Sequence, residues 1–556
     1  MPDFCKSFCL IKVLSVLYYK LFSIKRELTA TLNSNLGRAF LMKIASWWNN
    51  QTFLQKFFVL FLLFSGVMWV LVPTVNYSTL SYDPPETLMW GSTFNWGNAK
   101  HPPLAGWMLF NFCRLFGFPN FSIFILSQIC VTIGFIYIYK LSRCFFDRDI
   151  SVISTLLITF HIFYNYATPG FNANIPHLLF LPMLIYYFYR GCSANKWHHW
   201  LLAAAAAACA CLSKYSAGVV GLTLVLFLFA DKNARRVLLT VKPYAAALFF
   251  FLLMLPHFLH LINTDFLVFN YIQNGKAPKY SYFVQILFIA GAIMLPFLSM
   301  TAASLIMRFS GNPKLPWGKL KVAAPEACRY SGFIMWGQAA FLLLMGICGH
   351  RLRSAWTFPL YLTAGIFIIS FFSNEINSRS KRTFAWLCSV FAVILMLFSA
   401  GYHNFKSKFR YHIDKEELRK VAENFYREKT GREIPFITGD VWHASSLQNA
   451  FKYKMKAAPD SDPLLLRLHW DTIRRYGALV ITDGAQTSSE RLSKYVKGQL
   501  QWQKMQIKYA ARFGKAKKHT FYLAAIPPGA LIKGDCINFS GRSYSTVSVT
   551  GTEVIK

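Results

Sequence analysis

The feature that most constrains the fold is a series of apolar segments, each close to the 20 residues that a helix needs to cross a bilayer. The 556-residue chain is 54% hydrophobic and only 15% charged, whereas soluble domains carry roughly 25% charged residues. About eleven segments qualify. They lie near 55–75, 120–140, 150–167, 175–190, 199–212, 216–230, 243–262, 282–307, 332–348, 355–373 and 384–401. The sequence therefore predicts a polytopic α-helical membrane protein.

The charges between these segments predict its orientation. Lys and Arg collect in alternate loops, such as 232–242, 308–329 and 379–382, and the positive-inside rule places those loops in the cytoplasm. The net charge of +35 comes from basic residues spread over many loops, so nucleic acid is not an expected partner. The opposite loops, 76–119, 168–174, 213–215, 263–281 and 349–354, are then external, together with everything after residue 402.

The chain divides into three predicted parts. Residues 1–52 form a cytoplasmic N-terminal extension, within which Met42 is an alternative translation start, and 53–402 form the transmembrane domain. Residues 403–556 form a small soluble α/β domain, because an amphipathic helix at 416–429 is followed by short buried strands near 435–439 and 477–482. Within the first external loop, residues 104–118 predict a short helix that lies at the membrane interface or re-enters the membrane from the external side.

The first external loop carries the strongest candidates for chemistry. Asp83 and Glu86 flank two prolines that stiffen the chain, and a carboxylate beside a bilayer is costly unless it has a function. We predict a general base or an acceptor-orienting pair, with ordinary solvated loop charges as the alternative. Lys100 and His101 follow, and they are candidates for binding a phosphate or, alternatively, for contacting lipid headgroups.

Further basic residues lie in other external loops. They are Lys214 with the adjacent Tyr215, and His350, Arg351 and Arg353. Together they predict a pocket for an anionic headgroup, while for each cluster alone snorkelling to the interface is an equally good interpretation.

No cofactor is assigned from the sequence. The three-residue spacing of His257 and His260 places them near one helix face and allows a divalent metal, but a third ligand is not evident. The cysteines lie mostly inside apolar runs without zinc-ligand spacing, so no metal ligand is assigned.

These motifs resemble a known family. The resemblance rests on the run from Tyr82 to Glu86 with Trp90-Gly91, Trp96-Gly97, Lys100 to Leu104 and Trp107, followed by Ala167-Thr168-Pro169, Leu212 to Ser216 and Arg351 to Pro359. In this order they resemble, over about residues 50–400, the bacterial membrane glycosyltransferases related to the aminoarabinose lipid A transferase and the dolichyl-phosphate-mannose protein mannosyltransferases. The family's usual adjacent Asp-Glu is absent, since Pro85 precedes Glu86, and Gly170 stands where the family has Asp after Thr-Pro.

The resemblance implies a GT-C fold with about 11–13 transmembrane helices, a catalytic acidic residue in the first external loop, and a polyprenyl-phosphate sugar donor. We expect an inverting transferase in the bacterial inner membrane, with a periplasmic C-terminal domain. Its acceptor would be lipid A or another glycolipid, a glycan or a protein. The alternative is a transporter or lipid-linked-glycan flippase without transferase activity.

Overall fold

The structure of the protein is a computed structural model that describes residues 42–43, 45–269, 282–312, 322–348 and 353–530. The proposed start at Met42 concerns residues 1–41, which lie outside the described residues. The chain forms two compact units, Met1–Leu60 and Phe61–Lys556. The second unit contains both the apolar helices from residue 61 onward and the C-terminal α/β domain.

The apolar half of the chain is helical, as predicted. In order, its helices are α1 (Phe53–Asn76), α2 (Asp83–Gly91), α3 (Leu104–Leu115), α4 (Asn120–Ser142), α5 (Arg148–Leu156), α6 (Ile175–Ala194), α7 (Trp197–Ser213), α8 (Ala217–Ala230), α9 (Lys242–Asn263), α10 (Tyr282–Gly311), α11 (Pro325–Ile347), α12 (Ala364–Ile369) and α13 (Ser378–Phe405). Among the described residues, six of them are long and apolar enough to cross a membrane: α1, α4, α9, α10, α11 and α13.

Two of the predicted spans are interrupted. In the predicted span 150–167, α5 passes into the 3-10 turns Leu157–Phe160 and Ile162–Tyr164. There the His161 side chain accepts a hydrogen bond from the Phe163 amide at 3.1 Å. In the predicted span 355–373, the 3-10 turn Phe358–Leu362 contains Pro359 and precedes the six-residue α12. Proline removes a backbone donor, and a side chain that bonds the backbone competes with the helical ladder. Apolar composition alone therefore overestimated the number of long helices.

The predicted stiff loop around Asp83 is instead the first turn of a helix. Pro84 and Pro85 occupy the opening positions of α2, where the missing amide hydrogens have no intrahelical partner to lose. Helix α2 packs on α3 at two glycines, since a Cβ added to Gly91 would lie 2.2 Å from the carbonyl oxygen of Gly106. The short helix predicted near 104–118 is confirmed as α3.

The C-terminal domain contains the predicted amphipathic helix and strands. Its elements are α14 (Phe409–His412), α15 (Lys415–Thr430), β1 (Phe436–Gly439), α16 (Val441–Ala450), β2 (Lys456–Pro459), α17 (Pro463–Leu468), α18 (Trp470–Tyr476), β3 (Ala478–Thr482), α19 (Ala485–Leu492), β4 (Gln503–Tyr509) and β5 (Lys517–Ile526). Helix α15 is capped by Asp414, which accepts from the Glu416 amide at 2.8 Å, and ends at Gly431 with a left-handed φ of 69°.

The sheet of this domain has the strand order β2-β1-β3-β5-β4. The strands β2, β1 and β3 are parallel, and β5 joins β3 antiparallel. An aspartate follows each parallel strand: Asp460 after β2, Asp440 after β1 and Asp483 after β3. The carboxyl edge of a parallel sheet, which commonly binds ligands, is therefore acidic here.

Helix α2 belongs to the core of this domain. Met89 is fully buried in one apolar cluster with Trp442, and Trp90 lies in a second cluster with Leu465. The Trp442 indole nitrogen also donates to the Leu80 carbonyl oxygen at 3.1 Å. The helix that carries Asp83 and Glu86 is thus fixed by packing against residues more than 350 positions later in the sequence.

Candidate active site

Glu86 and Lys100 form a buried ion pair. The ammonium of Lys100 lies 2.9 and 3.2 Å from the two carboxylate oxygens of Glu86, which is only 4% exposed. Burial raises the pKa of Glu86 to about 7, with the nearby Asp83 and Asp462 acting in the same direction, while Lys100 opposes the shift. Glu86 is therefore a group whose charge changes near neutral pH.

Asp83 has different surroundings from Glu86, although both lie on the first turn of α2. It is exposed and accepts a hydrogen bond from the Asn172 side-chain amide at 3.2 Å. It also lines a cleft of about 620 Å³ between the helices and the C-terminal domain. Aromatic and basic side chains share the lining: Tyr77, Tyr82, Tyr166, Lys408, Phe409, Arg410, Tyr411 and Tyr509. Asp83 is thus the carboxylate that a molecule in this cleft would contact.

The Tyr82 ring contacts two cations. Lys100 lies 5.7 Å from the ring centre and the Arg410 guanidinium lies 4.9 Å from it, so both make cation–π contacts. Burial raises the pKa of Tyr82 to about 12, which keeps its hydroxyl protonated. Lys100 also lies 5.6 Å from the Trp90 ring.

The turn that carries Lys100 and His101 is fixed by a side chain. The Asn98 side-chain oxygen accepts from the amides of Lys100 and His101 at 3.0 and 2.8 Å. The His101 ring meets the Trp90 ring edge-on, 5.6 Å between centres. Burial, followed by the neighbouring Lys214, Lys100 and Arg353, holds the pKa of His101 well below its usual value. His101 is therefore a neutral hydrogen-bonding group rather than a fourth cation.

Lys214 extends the basic cluster from another loop. Its ammonium donates to the Asn174 side-chain oxygen at 2.6 Å. Burial lowers the pKa of Lys214 to about 8, with further lowering by Arg353 and Lys100, while Asp83 opposes it. Lys214 thus lies within electrostatic reach of both Lys100 and Arg353. His350 and Arg351 lie outside the described residues.

Tyr215 positions a histidine in this structure. Its hydroxyl donates to His257 Nε2 at 3.0 Å, because His257 Nδ1 donates to the Trp96 carbonyl oxygen at 2.7 Å. Both ring nitrogens of His257 are therefore occupied by protein atoms. His260 packs its ring against Gly97.

A different group has metal-ligand spacing among the residues that the structure describes. One ligand atom from each of Asp440, His443 and Asp483 lies within 4.8 Å of the others. The hydrogen bonds that these side chains make within the protein already account for their close spacing. Asp440 caps α16 and binds His443 Nδ1 at 2.6 Å, and His443 Nε2 lies 2.8 Å from His519 Nε2.

Sequence reasoning did not single out four residues that influence the site. Asn172 and Asn174 hold Asp83 and Lys214, Arg410 makes a cation–π contact with Tyr82, and the charge of Asp462 raises the pKa of Glu86. Two asparagines in a predicted external loop could have indicated the site from the sequence, because side-chain amides between apolar spans need hydrogen-bond partners. Arg410 and Asp462 lie far from the site in sequence, and only the tertiary fold brings them there.

Comparisons with known proteins fit this geometry. Residues 100–260 match the model of the family described as dolichyl-phosphate-mannose-protein mannosyltransferase. That segment includes Lys100, His101, Lys214 and Tyr215, and it begins after Asp83 and Glu86. A comparison with curated protein sequences finds no match.

The fold is shared with solved structures of a membrane enzyme. ArnT from Cupriavidus metallidurans bound to undecaprenyl phosphate is 11% identical, with 84% of this chain and 97% of that chain covered and a TM-score of 0.55. The apo state of the same protein is 10% identical over the same shares, with a TM-score of 0.56.

The chain therefore shares its fold, GT-C, with ArnT, and its residues 100–260 match a family of mannosyltransferases. These are the two likenesses that the order of its motifs indicated.

Proposed function

We propose that this protein transfers a sugar from a polyprenyl-phosphate donor to an acceptor held in the cleft beside Asp83. The observation that carries the proposal is the Lys100–Glu86 ion pair at 2.9 Å, with Lys214 within electrostatic reach of Lys100, Arg353 and Asp83. Cations at this position suit a donor phosphate, and the structurally similar ArnT was crystallised with undecaprenyl phosphate.

The two carboxylates have separate roles in this proposal. Glu86 holds the Lys100 ammonium at 2.9 Å and so fixes a cation for the donor phosphate. Asp83 is exposed to the cleft and oriented by Asn172, which suits a general base for the acceptor. The motif alone left both carboxylates as candidates. Glu86 is buried and Asp83 is exposed to the cleft, and this difference favours Asp83 as the base.

The proposed reaction is a single displacement. Asp83 accepts the proton of the acceptor O–H group as that oxygen bonds to the anomeric carbon of the sugar. The bond between that carbon and the phosphate oxygen breaks, and the polyprenyl phosphate leaves with the bonding electron pair. Lys100, Lys214 and Arg353 stabilise the charge that develops on this phosphate, and the anomeric configuration inverts.

The cleft suggests what kind of acceptor binds. Tyrosine rings offer flat apolar faces with hydroxyl groups at their edges, a combination that suits sugars. The proposed acceptor is lipid A or another glycolipid, a glycan or a protein. In this proposal the protein lies in the bacterial inner membrane, and the basic loops predicted on the opposite side support a periplasmic position for this face.

The test uses purified protein with a panel of labelled polyprenyl-phosphate sugars and a membrane-lipid extract as acceptor. We expect label in an acceptor and release of polyprenyl phosphate, both lost in Asp83→Asn and retained in Asp471→Asn, an exposed carboxylate of the C-terminal domain. Movement of intact donor across proteoliposome membranes without sugar transfer would instead establish a flippase.

A further inference from the structure

An exposed pair of aromatic side chains joins the C-terminal domain to the end of a membrane helix. Phe405 is the last residue of α13, which is long and apolar enough to cross a membrane. Phe513 lies in the turn between β4 and β5, residues 510–516, and its ring centre is 5.5 Å from that of Phe405. The two side chains are nevertheless 64% and 67% exposed, so most of their apolar surface is not covered by the described protein.

Phe405 lies on the side of α13 that is exposed along the span. Ile394 and Phe398, eleven and seven residues earlier, are also more than half exposed, and these spacings place all three on one face of the helix. An exposed apolar face of a membrane span contacts lipid. The 28 residues of α13 extend over about 42 Å, close to the about 40–45 Å of a bilayer with its headgroups. Phe405 therefore falls among the headgroups.

Three hydrogen bonds fix the β4–β5 turn to the chain at the end of α13. The Phe513 amide donates to the Asn404 carbonyl oxygen at 2.9 Å. The Ser407 hydroxyl donates to the Lys515 carbonyl oxygen at 2.7 Å and accepts from the Ala511 amide at 3.0 Å. The turn is therefore held at the level at which α13 leaves the bilayer.

Both segments that meet here are basic. Residues 402–413 and 501–520 contain no Asp or Glu. Their exposed basic side chains next to the aromatic pair are Lys406, Arg512, Lys515, Lys517 and Lys518, and the ion pairs of the described residues include none of them. The Arg512 guanidinium lies 5.4 Å from the Phe513 ring centre. Aromatic rings at headgroup depth beside free cations suit an anionic membrane surface.

We propose that the β4–β5 turn is a membrane-docking surface: Phe513, together with Phe405, inserts into the leaflet on the side of the C-terminal domain, and the adjacent basic side chains bind anionic phospholipid headgroups. A bilayer is the occupant that fits, because the surface continues the lipid-facing side of a membrane span and carries unpaired cations. Ser407, which bonds this turn, also lines the cleft beside Asp83, so docking fixes the depth of that cleft relative to the headgroups. The proposal goes beyond the proposed function and does not depend on the identity of the donor.

The test places the photocrosslinking residue p-benzoylphenylalanine at position 513 of the full-length protein, in nanodiscs of phosphatidylcholine and phosphatidylglycerol. The control position is Tyr476, which is 55% exposed. It precedes β3, whose first residue Ala478 pairs with Ile526 at the opposite end of β5 from the turn. Mass spectrometry after illumination should find lipid attached at position 513 and not at position 476. Absence of lipid at position 513, or a crosslink there to a second copy of the chain, overturns the proposal.

The headgroup preference is measured with the same photocrosslinking residue at position 513. We expect phosphatidylglycerol to be enriched about fivefold among the attached lipids, the factor that one basic residue contributes at an anionic surface. The double variant Arg512→Gln/Lys515→Gln should lose most of this enrichment. The matched control Arg474→Gln/Arg475→Gln removes the same charge from exposed positions beside Tyr476 and should keep it. Equal enrichment in the two double variants overturns the headgroup site.

Neither measurement uses a sugar donor or transfer activity. Lipid attachment at position 513 in a protein that transfers no sugar would therefore leave the docking surface in place and refute only the proposed function.

Discussion

Lys100 binds both carboxylate oxygens of Glu86, at 2.9 and 3.2 Å, where α2 packs against the C-terminal domain. Asp83, three residues earlier on the same turn of α2, faces the cleft instead. This difference predicts different phenotypes for two substitutions that change charge but little volume. Asp83→Asn should lower kcat at least 100-fold with donor KM nearly unchanged, since general base catalysis contributes about 10²–10⁴-fold.

Glu86→Gln should act mainly on donor binding. It releases the Lys100 ammonium from its carboxylate, so donor KM changes by more than kcat does. Steady-state kinetics of both variants provides the check, with Asp471→Asn as the exposed control. Equal loss of kcat in both variants would contradict the division of roles.

The pH dependence of kcat/KM should be bell-shaped. As pH falls through about 7, Glu86 is protonated and its ion pair with Lys100 is lost. As pH rises through about 8, Lys214 loses its proton and the donor phosphate loses a cation. Lys214→Arg should remove the alkaline limb, because a guanidinium stays charged throughout this range. An unchanged alkaline limb in Lys214→Arg would assign it to another group.

The basic cluster should determine donor affinity. Charge-assisted hydrogen bonds contribute about 1.5–3 kcal/mol, so Lys214→Gln and Arg353→Gln should each raise donor KM by about 10–100-fold. The matched control is Arg379→Gln, an exposed arginine at the start of α13 on the predicted cytoplasmic side, and it should leave KM unchanged. Donor titrations of the three variants decide whether the effect depends on position or only on total charge.

The close contact between α2 and α3 should couple stability to activity. Gly91→Ala places a Cβ 2.2 Å from the Gly106 carbonyl oxygen, and overpacking of this kind costs about 1–3 kcal/mol. Because α2 carries Asp83 and Glu86, transfer activity should fall together with the midpoint of thermal unfolding. Gly218→Ala is the control, since its added Cβ would meet no atom within 4 Å.

The histidine pair of the C-terminal domain should be structural. His443 is buried between Asp440 and His519, so His443→Ala leaves two polar partners unsatisfied and should cost about 1–3 kcal/mol. Thermal unfolding of the purified protein measures this loss. Asp414→Asn, which keeps a capping oxygen on α15, should leave the unfolding midpoint within a degree or so. Because Zn²⁺ binds imidazole nitrogens, a metal-dependent midpoint in wild-type protein would contradict a purely structural role.

The sequence by itself determined what depends on local pattern. Apolar runs predicted the helical membrane architecture, and the polar helix before Gly431 and the short buried strands predicted the C-terminal α/β domain. The order of motifs indicated the class of enzyme, and the shared side of the loops brought Asp83, Glu86, Lys100 and Lys214 together as candidates. The helices and strands follow from residues within about one element's length of one another, and the motifs and loop sides follow from the order of such segments along the chain.

Only the tertiary structure decided which carboxylate is buried and what surrounds it. The sequence indicated a stiff loop around Asp83, but packing of Met89 and Trp90 into the distant C-terminal core makes it a helix. That packing buries Glu86 against Lys100 and leaves Asp83 facing the cleft. The physical reason is that burial and the distances between charges depend on contacts across more than 350 residues of chain, which no local pattern encodes.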